Sequence, residues 1–254
     1  MRLLLLTLLL PAAALAGTGF DGTWQTNVES VKTTGKPMVL LLKGGEYTCV
    51  FCNPPYSVRA DGAEHKVTGQ VYFDTVEVKV TGPNSADIIL KQGNKEVVRF
   101  SDTVSADGMT LTSKVTNHVG AQTETDELTA RRVAAAPADS HPISGSWVEQ
   151  QHVAGEQSPV RYRMTAVRFQ MRGNGLSYDA KFDGKEYPVL GDPGRTTVSL
   201  RKIDDATVEE TDHRQGKVVD EIRLALAKDG NTITVVDNDI AHGQTITYTL
   251  EKQH

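Results

Sequence analysis

Thr75-Val-Glu-Val-Lys-Val80 sets Val76, Val78 and Val80 on one face of an extended chain and Glu77 and Lys79 on the other. Successive side chains of a strand point to opposite faces, so this period of two marks a half-buried strand. The pattern recurs widely. Tyr178, Ala180 and Phe182 alternate with Asp179 and Lys181, Ile222, Leu224 and Leu226 with Arg223 and Ala225, and Ile233 and Val235 with Thr232 and Thr234. Five Asp-Gly pairs, beginning at Asp21, Asp61, Asp107, Asp183 and Asp229, punctuate the chain, and at least three lie between alternating runs. Asp-Gly tolerates the positive φ angles of a type I′ turn, which predicts tight hairpins there. Gly191-Asp-Pro-Gly194 and Arg214-Gln-Gly216 supply further turns. No segment carries a long apolar stripe at helical spacing.

The strands are written twice. Gly22-Thr23-Trp24 returns as Gly145-Ser146-Trp147, after which the offset settles at 122 residues. At that offset Tyr56 meets Tyr178, Asp61-Gly62 meets Asp183-Gly184, Val67 meets Val189, and Asp107-Gly108 meets Asp229-Gly230. So many matches in one register are a tandem duplication. Between the copies, residues 133–142 are small residues with two prolines and read as an extended linker. The expected units are a first repeat over 17–132 and a second over 143–254, each of roughly 115 residues and long enough for its own core.

Nine or ten short strands between Trp147 and Lys252, joined by short connections, imply an antiparallel meander. An open sheet of that size exposes its edges, and closure into a small up-and-down barrel removes them. The predicted fold is therefore all-β, two tandem antiparallel barrels, with a pair of β-sandwiches as the competing solution. The two Gly-x-Trp triplets, each opening a meander, resemble the start of the calycin superfamily, the lipocalins and fatty-acid-binding proteins. The block Tyr178-Asp-Ala-Lys-Phe-Asp-Gly-Lys-Glu-Tyr-Pro-Val-Leu-Gly191, followed by Thr197-Val-Ser-Leu-Arg-Lys202, is similar to secreted bacterial proteins of lipocalin-like type. The resemblance implies that Trp24 and Trp147 close barrel bases as structural anchors. Fatty-acid-binding proteins also hold a carboxylate with an Arg-x-Tyr pair in the last strand. Here Ile246 stands at the Arg position before Tyr248.

Arg2, an apolar run from Leu3 to Leu10 broken by Thr7, and Ala14-Leu15-Ala16 read as a secretory signal peptide over 1–16. That run is shorter than the ~20 residues of a spanning helix. The expectation is an exported, periplasmic or extracellular protein with no transmembrane segment after cleavage. With 27 Lys and Arg against 32 Asp and Glu, the chain carries a formal charge of −5 and lacks the basic face of a nucleic-acid binder.

Chemistry is sparser. Cys49-Val-Phe-Cys52 holds both cysteines. In an exported protein they read as a local disulfide, which requires Val50-Phe51 to turn, since extended residues three apart lie about 10 Å apart. A thioredoxin-type redox pair lacks its βαβ context, and a zinc site lacks two ligands. The seven histidines (His65, His118, His141, His152, His213, His242 and His254) form no metal-binding pattern. Arg161, Arg163, Arg168 and Arg172 are the one basic concentration. They fit the solvated face of two strands, or, if inward, a site for an anionic headgroup. Asp204-Asp205 fits a turn, and Glu209-Glu210 place one carboxylate on each strand face. Nucleophile-elbow, Walker and dinucleotide motifs are absent. No metal and no cofactor are expected. The leading expectation is a non-enzymatic protein whose barrels bind a small hydrophobic or amphipathic molecule. The alternatives are a structural or protein-interaction module with solid barrels, and a thiol-redox or metal-handling protein acting through Cys49 and Cys52.

Overall fold

The structure, a computed structural model, describes residues 19–155 and 157–254. The expected signal peptide lies outside the described residues, as does the side chain of His152. The first copy supplies β1 (Gly22–Gly35), β2 (Met38–Lys43), β3 (Glu46–Cys49), β4 (Tyr56–Arg59), β5 (Glu64–Lys66), β6 (Thr75–Gly82), β7 (Ser85–Gln92), β8 (Lys95–Val104), β9 (Thr110–Asn117) and β10 (Glu124–Ala134). The second supplies β11 (Gly145–Ala154), β12 (Val160–Met164), β13 (Arg168–Gly173), β14 (Leu176–Lys181), β15 (Tyr187–Pro188), β16 (Thr197–Asp204), β17 (Thr207–Arg214), β18 (Lys217–Leu226), β19 (Thr232–Asp239) and β20 (Gln244–Gln253).

These strands form two ten-stranded antiparallel barrels, each nearly closed. The first runs β4-β3-β2-β11-β10-β9-β8-β7-β6-β5 and the second β14-β13-β12-β1-β20-β19-β18-β17-β16-β15. The barrels do not coincide with the units 17–132 and 143–254, because the opening strand of each copy is exchanged. β1 crosses to the second barrel, where Thr23 lies opposite Gln253 and Trp24 opposite both Lys252 and Val160. β11 lies between β10 and β2 of the first, with Trp147 opposite Arg132 and Met38.

Each tryptophan is buried in its adopted barrel, Trp24 at 0% exposure and Trp147 at 1%. Trp24 Nε1 donates to the Phe20 carbonyl at 2.9 Å, and Trp147 Nε1 to that of Ile143 at 3.0 Å. Both indoles carry a cation on one face. The Arg132 guanidinium carbon is 4.1 Å from the Trp147 ring centre, and Lys252 Nζ is 5.2 Å from that of Trp24. Arg132 also donates to the carbonyls of Gly108, Pro142 and Ser144 at 2.5–2.6 Å, tying the entry of β11 to β10.

The Asp-Gly turns differ from the expected geometry. Gly62, Gly108, Gly184 and Gly230 have φ between 69° and 74°, but the preceding aspartates are absent from the positive-φ residues, so these are not type I′ turns. Each Asp Oδ1 instead accepts the amide two residues on, at Ala63, Met109, Lys185 and Asn231. Two of the turns close the hairpins β8–β9 and β18–β19. The other two span the barrel seams, between β4 and β5 and between β14 and β15. The linker is shorter than 133–142: Val133 and Ala134 extend β10, and His141 N donates to the Leu42 carbonyl at 2.8 Å.

Candidate functional site

Leu40, Tyr47, Cys49, Ile88, Leu90, Leu111, Ala130 and Trp147 point inward and form the core of the first barrel. They do not fill it. A cavity of about 350 Å³ remains, walled further by Met38, Tyr56, Phe73, Phe100 and Leu128. Its size falls at the lower end of small-molecule sites.

Few polar groups face this space. Asp102 on β8 and Ser113 on β9 are direct cross-strand partners and both line the cavity. Asp102 is 5% exposed, and its Oδ1 has no hydrogen-bond partner. Burial pushes its carboxyl up to about 6, against the lowering effect of the Ser113 hydroxyl. Glu149 on β11, His242 and Gln244 complete the polar lining. Thr33 Oγ1 donates to Glu149 at 3.1 Å, so the exchanged strands β1 and β11 meet beside the cavity.

The disulfide loop belongs to the same wall. Cys49 and Cys52 are bonded, with sulfurs 2.02 Å apart and Cα atoms 5.4 Å apart. The required turn is present: Val50 N and Phe51 N both donate to the Val39 carbonyl. Phe51 stacks on His242 from the β19–β20 turn, with ring centres 4.9 Å apart, and Asn53 Nδ2 donates to the Ala241 carbonyl at 3.2 Å. The second barrel therefore supplies part of the first cavity's lining. Asp239 holds His242 by its Nδ1 at 2.6 Å, which raises the imidazole pKa.

The second barrel has another interior. In register, Glu210 and Asp212 on β17 face Ile222 and Asp220 on β18, which face Asp237 and Asp239 on β19. At the places 122 residues earlier the first barrel carries Ile88 and Leu90, Phe100 and Val98, and Val115 and Asn117 in the same pairings. Four apolar positions have thus become carboxylates. Tyr178 donates its hydroxyl to Glu210 at 2.5 Å. Burial raises the pKa of both Glu210 and Asp212, and the charge of Glu210 raises Asp212 further. Burial and the charges of Asp220, Asp239 and Asp212 push Asp237 up to about 7. The exchange of character also runs the other way, since Leu224 and Val235 occupy the places of Asp102 and Ser113.

Arg161, Arg163 and Arg172 are exposed on the outside of β12 and β13, while Tyr162, Met164 and Phe169 turn inward. Arg168 pairs with Asp179 at 2.9 Å. Arg161, Arg163 and Arg172 border a groove of about 450 Å³, which Arg168 does not line. Asp204 makes the expected turn, accepting Ala206 N at 2.8 Å. Glu209 is outside, paired with Arg201 and Arg223, whereas Glu210 is inside at 8% exposure, so the pair is not a mere surface feature. His65 pairs with Asp61 and His118 bonds Thr123, each away from His242. Among the described residues no group of three His, Cys, Asp or Glu is arranged to hold a metal ion.

The fold and the cavity together define a two-barrel protein with one apolar interior space and one acidic interior. No family model, curated protein or solved structure matches the chain.

Proposed function

We propose that the protein is an exported, non-enzymatic binding protein whose first barrel holds a small apolar or amphipathic molecule, in the periplasm or outside the cell. One observation carries this reading: a well-anchored core of aromatic and aliphatic side chains leaves about 350 Å³ unfilled. Protein interiors ordinarily pack without voids much larger than a water molecule, and an unfilled apolar space forfeits dispersion contacts. A ligand restores them. The calycin resemblance supports the same reading, since each of the two Gly-x-Trp strands carries a buried indole.

Native mass spectrometry of the freshly purified chain tests it. The expected result is a bound small molecule that is lost when Leu128→Trp fills the cavity in a folded variant. Persistence of the adduct in that variant, or a wild-type chain that takes up no apolar probe, contradicts the proposal.

A further inference from the structure

The polar groups of the first cavity identify the ligand further. Asp102 is a buried lining residue beside Ser113, and its Oδ1 is bonded to no protein donor. Glu149 is a second carboxylate on the lining. No lysine or arginine is found among the described lining residues, and the one imidazole, His242, is already held by Asp239. A buried carboxylate with one oxygen unsatisfied is costly, and a cation that reaches it offsets that cost. A ligand carboxylate would instead meet the Asp102 carboxyl with no lysine or arginine among the described lining residues.

We propose that the first barrel takes an apolar molecule bearing one protonated amine, whose N–H donates to Oδ1 of Asp102. The proposal rests on the reading of the cavity as a ligand site. A charge-assisted hydrogen bond is roughly twice as strong as a neutral one. An amine should therefore bind about tenfold more tightly than an alcohol on the same apolar body. The second barrel offers an internal contrast, because Leu224 occupies the position of Asp102 there.

The test uses octylamine, octanol and octanoate with the full chain, read by calorimetry and by the Trp147 indole resonance, which reports on the cavity wall. The expected order is octylamine tightest by about tenfold and octanoate weakest. Asp102→Asn and Asp102→Leu should each remove the advantage of octylamine over octanol, both measured in the same variant. If octylamine binds no better than octanol, or its advantage survives in either folded variant, the amine assignment is overturned while cavity binding stands. If none of the three probes shifts Trp147, the binding reading falls and takes this inference with it. Should neither variant fold, the wild-type ranking decides.

Discussion

Trp24 and Trp147 open the two copies of the repeat, yet each is buried in the barrel built mainly by the other copy. Trp24 packs with Phe169, Leu224 and Leu250, and Trp147 with Leu40, Leu111 and Ala130. Removing a buried tryptophan side chain costs about 3–5 kcal/mol. Trp24→Ala should therefore speed hydrogen exchange in β16–β20 and spare β6–β10, and Trp147→Ala should do the reverse. Exchange that rises in each tryptophan's own copy would contradict the strand exchange.

Because β2 to β11 are consecutive in the chain, residues 36–154 contain a whole barrel with Trp147 in place. That fragment should give a dispersed amide spectrum. The sequence unit 17–132 carries Trp24 but lacks β11, and should be the less stable of the two by denaturant titration.

The acidic interior predicts a pH dependence with a definite sign. Glu210, Asp212, Asp220 and Asp237 all have raised carboxyl pKa values in the fold. Between their ordinary values near 4 and their folded values, the native state binds more protons than the unfolded chain, so stability falls as pH rises. His242, raised by its bond to Asp239, acts in the same direction. The lowered carboxylates, such as Glu96 and Glu209, are fully ionised in both states above about pH 5 and do not offset this. The melting temperature should drop steadily from about pH 5 to about pH 8. A rise over that range would refute the burial of these groups.

Asp212 stands where the first barrel has Leu90, and its Oδ1 is buried without a partner. Asp212→Leu should raise stability by about 1–3 kcal/mol at neutral pH, the cost of an unsatisfied buried polar group. Near pH 4, where the unfolded chain's carboxyl also takes up its proton, the gain should shrink. Denaturant midpoints at the two pH values check both halves of this expectation.

The Cys49–Cys52 bridge closes a very small loop. Replacing both residues with serine should cost about 2 kcal/mol at most in the chain-entropy account. The larger effect should be local. Phe51 loses its fixed turn, so the His242 ring resonances, now stacked on Phe51, should move toward solvent-exposed shifts.

Much of this fold can be read in the chain. Alternation reports burial on one face directly for Val76 and Val78 of β6, both fully buried, whereas Val80 toward the end of the strand is 44% exposed. The duplication emerges from identical spacing. Partner choice does not, because Gly22-Thr23-Trp24 and Gly145-Ser146-Trp147 are nearly the same strand and either can close either barrel. Local periodicity does not distinguish the two partners. The cavity is equally silent, since Phe100 and Leu128 show the alternation of any core residue. Glu210 had a signal: set against Ile88 at the repeat offset, it lies on an apolar position of the same strand face.

The exchange of β1 also determines what happens if the chain is rewired. Thr23 lies directly opposite Gln253, so the first and last strands are neighbours in one sheet. A short peptide joining residue 254 to residue 19, with new ends opened at 155–157, would produce a circular permutant. Its strands would run β12 to β20 and β1 through one barrel, then β2 to β11 through the next. The second barrel would then be built from consecutive strands, as the first already is, without a single hydrogen-bonded strand pair changing.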